Sequence, residues 1–127
     1  MDVWLAVGVM KVERELSKEL SETEILGIAY CVGSIDIKPF RQTQSKDFVS
    51  SYVLNLVSAT DIIRSFQENL KRNRGSVVLF STVAAKKGFS NHAIVASAKA
   101  GVEGLTVSLA AELSPKVRVN CIAPSLT

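Results

Sequence analysis

The 127 residues carry 47% hydrophobic and 21% charged side chains and a formal net charge of +3. That is enough chain for one domain with a real core and too little for two ordinary ones, and the balance excludes a largely disordered polymer. The charge is mild, and the basic run Lys71-Arg72-Asn73-Arg74 reads as the cationic end of a helix rather than as a nucleic-acid patch.

Val3 to Met10 is an apolar run that suits a strand. It follows Asp2 rather than a basic residue and is too short to cross a bilayer, so it fits neither a signal peptide nor a membrane span, and a cytoplasmic protein is expected. Val12, Leu16 and Leu20 then repeat every four residues, which predicts an amphipathic helix to about Glu22. Glu24 to Val32 reads as a second buried strand ending at Gly33, followed by a loop through Pro39 to Ser45. Ser45 is placed to cap a long helix over 46–72, with Phe48, Tyr52, Leu56, Ile63, Phe66 and Leu70 on or near one face and Gly75 closing it.

Val77 to Phe80 is a continuous apolar run, as expected of a strand buried on both faces of a parallel sheet. Ser90 is placed to cap a helix running to about Leu113, where Ser114-Pro115 stops it, and Val117 to Ile122 forms the next strand. Cys31 and Cys121 each fall in an apolar run and in no metal-ligand spacing, so buried, reduced thiols and no metal are expected. Strand and helix alternate throughout, which argues for a single α/β domain over residues 1–127, a parallel sheet of about four strands with helices on its faces. Ligands of such sheets bind at the carboxyl ends of the strands, a rim that here carries Gly33-Ser34, Ser81-Thr82 and Pro124-Ser125.

Four motifs in order then resemble the short-chain dehydrogenase/reductase family. Asn55-Leu56 is similar to that family's fourth-helix Asn-Leu, and Gly75-Ser-Val-Val-Leu-Phe-Ser-Thr82 to its fifth strand and catalytic serine. Ala96-Ser-Ala-Lys99-Ala-Gly-Val-Glu-Gly-Leu-Thr106 resembles its active-site helix, and Arg118-Val-Asn-Cys-Ile-Ala-Pro124 its sixth strand. The resemblance covers nearly the whole chain but only the middle of the family's domain. It implies a partial Rossmann-like, doubly wound fold and hydride transfer between NAD or NADP and a carbonyl or alcohol.

In that family a tyrosine moves the proton, a lysine four residues later depresses the tyrosine pKa and holds the nicotinamide ribose, a serine hydrogen-bonds the reacting oxygen, and an asparagine anchors a relay water. Carried over, Lys99 matches the lysine and Asn55 the asparagine, while Thr82 stands thirteen residues before the tyrosine slot and offers a hydroxyl in place of the serine's. The tyrosine slot is Val95, which has no proton to give. No glycine-rich G-x-x-x-G-x-G turn appears, the slot of the family's Asn-Asn-Ala-Gly reads Tyr30-Cys-Val-Gly33, and Pro124-Ser125 stands where the family has Pro-Gly. Gly33, Lys99 and Pro124 are therefore the candidate cofactor contacts. As this chain the enzyme would be impaired or inactive, the alternative being a catalytically dead homologue that binds or oligomerises.

Bland readings stand beside these. His92, the only histidine, shares a helical face with Val95 and Lys99, about 20° from Lys99 in projection, and is a candidate substitute proton donor or simply a solvated residue near a helix start. Lys99 is a site lysine or a solvated one, Thr82 a site hydroxyl or a turn threonine, and Asn55 a functional or a merely buried asparagine. On the same helix Ala96, Ala100, Gly104 and Ser108 make a small-residue stripe opposite Val102, Leu105, Leu109 and Leu113. Family members commonly dimerise through this helix and the preceding long one, so a homo-oligomer pairing segments near 46–72 and 91–113 is expected, with no nucleic acid and no membrane as partner. Lacking the family's first two strands, the chain leaves an edge of Glu24–Val32 vacant, and Val3–Met10 is expected to fill it.

Overall fold

The computed structural model describes residues 3–7 and 24–125. Its strands are β1 (Val3–Val7), β2 (Ile25–Tyr30), β3 (Ser76–Phe80) and β4 (Arg118–Ile122). Among the described residues they form a parallel sheet in the order β1-β2-β3-β4. The vacancy beside β2 is filled by β1, with Trp4 opposite Gly27 and Val7 opposite Tyr30. The helix expected over 12–22 lies outside the described residues.

The register explains the core. Ile28 stands opposite Val77, which stands opposite Val119, and Leu79 is opposite Cys121. With Tyr30 these residues share one face and pack against Leu56, Ile62, Ile63, Phe66, Leu70, Val102 and Leu113 from the helices. On the opposite face Ala29 and Val78 are only half-buried. β4 alternates, burying Val119 and exposing Arg118, Asn120 and Ile122, as suits a strand paired on one side only among the described residues.

The segment expected as one helix is a stack of three helices and a widened turn. Its parts are α1 (Ser45–Tyr52), a π turn (Val53–Val57), α2 (Ser58–Ser65) and α3 (Gln67–Arg72). A π turn admits one extra residue and frees a carbonyl. Here the Ser58 N–H donates to Val53. The Leu54 carbonyl accepts the Tyr30 phenol at 2.7 Å. Phe66 leaves helical geometry between α2 and α3 while its ring stays buried in the core.

Three expectations about helix ends are corrected. The cap of α1 is Gln44, not Ser45: Gln44 and Asp47 form a reciprocal capping box, with the Gln44 N–H donating to Asp47 Oδ2 at 2.8 Å. At the other end Arg74, not Gly75, takes the left-handed conformation, at φ 51°. Gly75 is required for space, since a Cβ there would sit 2.8 Å from the Leu26 carbonyl oxygen and 2.8 Å from Leu70 Cδ2. The last long helix, α5 (Ala93–Leu113), begins at His92 without a side-chain cap, because the chain turns at Asn91 (φ 66°) and leaves Ser90 outside it.

α5 is long and apolar enough by composition to cross a membrane. Here Ile94, Val95, Ala98, Val102 and Leu113 are buried in the domain, and Val102 and Leu113 belong to its central core. Among the described residues the buried polar side chains all have hydrogen-bond partners. Asn69 on α3 accepts the Ile25 N–H of β2 at 3.0 Å and is itself held by Asn73 Nδ2 at 2.8 Å.

Candidate functional site

The carboxyl ends of β2, β3 and β4 open onto a cavity of about 920 Å³, within the size range of small-molecule sites. Gly33, Thr82, His92, Lys99 and Pro124 all line it. Asn55 stands just behind, its Oδ1 accepting the Ser34 N–H at 3.3 Å and its amide donating to Ser51 O at 2.9 Å and Ser51 Oγ at 3.1 Å. All six sequence-derived candidates thus converge on one place.

Lys99 reaches the site because α5 crosses the end of β3. Its Nζ donates to the Phe80 carbonyl at 2.9 Å, and in return Ser81 Oγ donates to the Lys99 carbonyl at 3.3 Å. Burial pushes the Lys99 pKa below its ordinary value, opposed by the nearby Cys121 sulfur. Burial in turn pushes the Cys121 thiol up. Gly33 is the meeting point of the lysine and the asparagine: a Cβ there would lie 2.7 Å from Asn55 Oδ1 and 3.3 Å from Lys99 Nζ.

Thr82 combines its two readings. Its Oγ1 accepts the Ala84 N–H at 3.3 Å at the start of the short helix α4 (Ala84–Lys87), so it is a turn threonine. Accepting leaves its own hydroxyl proton free to donate into the cavity. His92 forms the threshold of α5 rather than part of it. Its Nδ1 lies 2.7 Å from the Ser90 carbonyl, and its ring stands edge-on to Phe89 at 5.5 Å. A carbonyl offers only lone pairs, so this contact assigns the Nδ1 proton and leaves Nε2 unengaged by it.

Val95 is only 3% exposed and lines the same cavity as His92 and Lys99. Cys31 corrects an expectation: β2 ends at Tyr30, and the exposed Cys31 thiol lies on the cavity rim instead of in a buried strand. The sequence reading missed Ile35, Ile37 and Phe89, which give the cavity much of its apolar lining. Their signal was present as apolar residues inside otherwise polar loops.

Known proteins share this fold. The family model described as enoyl-(acyl carrier protein) reductase matches residues 7–127. Hydroxynaphthalene reductase arp2 of Aspergillus fumigatus is 35% identical over 94 residues, 73% of this chain and 34% of its own length. Dehydrogenase/reductase SDR family member 6 of Rattus norvegicus is 30% identical over 116 residues, covering 88% of this chain and 47% of its own. A solved short-chain dehydrogenase/reductase from Burkholderia xenovorans superposes with a TM-score of 0.83 at 28% identity, over 90% of this chain and 50% of that one. The chain belongs to the short-chain dehydrogenase/reductase family, a family of oxidoreductases, and carries its Rossmann-like fold. It spans between a third and a half of the length of these curated relatives.

Proposed function

We propose that this chain is the carbonyl-handling part of a short-chain dehydrogenase/reductase, built for hydride transfer between a nicotinamide cofactor and a carbonyl or alcohol and impaired in its proton transfer. The observation that supports the reading is that Val95, which the family resemblance sets at the position of the phenol, is buried and lines the same cavity as Lys99 and Thr82. The residues present fit one end of the cofactor. Lys99 offers an ammonium to ribose hydroxyls, and Gly33, with no side chain, lets a ligand approach Asn55 and Lys99 closely. Pro124 lines the same cavity. The sequence holds no glycine-rich turn for the pyrophosphate.

When bound, the nicotinamide supplies or takes the hydride. Thr82 donates its hydroxyl proton to the reacting oxygen, Lys99 keeps that region positive, and Asn55 fixes the Gly33-Ser34 backbone. His92 Nε2 takes over the proton transfer that Val95 cannot perform. In whatever activity the protein carrying this chain displays, His92→Ala lowers turnover at least tenfold; a smaller loss removes His92 from the reaction.

Calorimetric titration with NADPH and NADH tests the cofactor part. Micromolar binding supports it, and millimolar or absent binding overturns it in favour of a second reading, a catalytically dead binding and oligomerisation module. That reading has its own observation. A groove of about 420 Å³ runs between the π-turn segment and α5, floored by Leu56, Gly101 and Gly104 and flanked by Tyr52, Thr60 and Ser108. Exposed Val49 and Val107, 61% and 72% accessible, lie on the helices that border it. Small residues on one helix let a partner helix approach closely, so the groove suits a second copy of the chain packed across a two-fold axis. The fold family is generally soluble, and a cytoplasmic location accompanies either reading.

A further inference from the structure

We propose that the cavity at the carboxyl ends of the strands binds an amphipathic carboxylate, a single carboxylate group on an apolar body, with the carboxylate seated against Lys99. The inference goes beyond hydride chemistry and does not depend on nicotinamide binding.

Two features of the cavity define the ligand. Val32, Ile35, Ile37, Phe89 and Val95 make its walls largely apolar, so an apolar body of a ligand is withdrawn from water there. Lys99 lines the cavity, and among the described residues its ammonium has no counter-ion. The ion pairs among the described residues join Lys38 to Asp47, Arg64 to Asp61 and Lys71 to Glu68, and none includes Lys99. Among the described residues no aspartate or glutamate lines the cavity, where the other titratable groups are Cys31 and His92.

The Lys99 hydrogen bond goes to the Phe80 carbonyl, a neutral acceptor, which leaves two of the three ammonium protons to offer. A half-buried cation without an opposite charge is costly, and an anion that desolvates with it offsets the cost. Burial already lowers the Lys99 pKa, and a bound carboxylate would raise it again. Thr82 supplies a second donor to the same headgroup. A neutral alcohol would forfeit the charge pairing, and a cation would be repelled.

Calorimetry with decanoate and decyltrimethylammonium below their micelle concentrations, and with decanol below its solubility limit, tests the proposal on the intact protein. Decanoate is expected to bind at least tenfold more tightly than decanol, and the ammonium compound more weakly than either. Lys99→Met brings decanoate down to the level of decanol. Lys116→Met, which removes a cation at the amino end of β4, away from the cavity, leaves the preference intact. Equal binding of decanoate and decanol, absence of decanoate binding, or a decanoate preference that survives Lys99→Met overturns it. The headgroup series needs no variant, so the outcome does not rest on whether Lys99→Met folds.

Discussion

The phenol of Tyr30 donates to the carbonyl of Leu54 at 2.7 Å, tying the end of β2 to the π turn. The bond secures the one irregular turn that carries Asn55. Tyr30→Phe removes a hydrogen bond at the half-buried Leu54 carbonyl, which should cost about 0.5 to 1.5 kcal/mol. Urea unfolding should show that loss at an unchanged slope. A change below a few tenths of a kcal/mol would mean that water or a shifted turn replaces the phenol.

Gly75 and Arg74 make a paired prediction of opposite sign. Gly75→Ala drives a methyl into the Leu26 carbonyl and Leu70, which should destabilise by about 1 to 3 kcal/mol. Arg74→Gly removes a side chain from a left-handed conformation that costs roughly 1 to 2 kcal/mol, partly offset by glycine's greater chain entropy, so stability should rise by up to about 1 kcal/mol. Thermal melts of the two variants check both signs.

Lys99 should give stability a particular pH dependence. Its folded pKa lies below the ordinary 10.5, so between those two values the unfolded chain binds more protons and the wild type gains stability as pH rises. Below the lowered pKa the penalty of the half-buried cation is fully present. Lys99→Met should lack this rise, so the difference between the two proteins changes in favour of the wild type as pH climbs towards 10.5. Loss of the Phe80 hydrogen bond shifts the whole curve without producing that slope. Parallel curves for the two proteins would contradict the shift.

The groove beside α5 predicts an assembly that single residues disrupt. Gly104, with open space where a Cβ would go, accepts a side chain without disturbing its own domain. Gly104→Trp should fill the groove, and Val107→Arg should place a charge on the exposed face. Sedimentation should show wild-type self-association at micromolar concentration and a monomer for both variants. A monomeric wild type would remove the groove as an interface.

The sheet and its order were readable because buried parallel strands announce themselves as apolar runs: Val77 to Phe80 and Glu24 to Val32 appear within two residues of their observed limits. Asn55, Thr82 and Lys99 were singled out by the family resemblance, and the fold brings them around one cavity. Helix ends were less legible. Ser45 and Ser90 are good capping residues, but capping depends on where the backbone turns, and Gln44 with Asp47 won the first position while the turn at Asn91 displaced the second. The π turn had no local signal. Its Leu54 carbonyl is held by the Tyr30 phenol, 24 residues away in sequence. Ile35, Ile37 and Phe89 were invisible as wall residues for the same reason, because a loop has no periodicity to say which way a side chain faces.

Asn69 has a use that does not concern function. Its side-chain oxygen, on α3, holds the backbone N–H of Ile25 at the first residue of β2. That amide is therefore shielded from deuterium by a group belonging to another element. Its exchange rate reports each detachment of α3 from the sheet, so one resonance in a heteronuclear spectrum serves as a built-in gauge of whether the helical layer is seated.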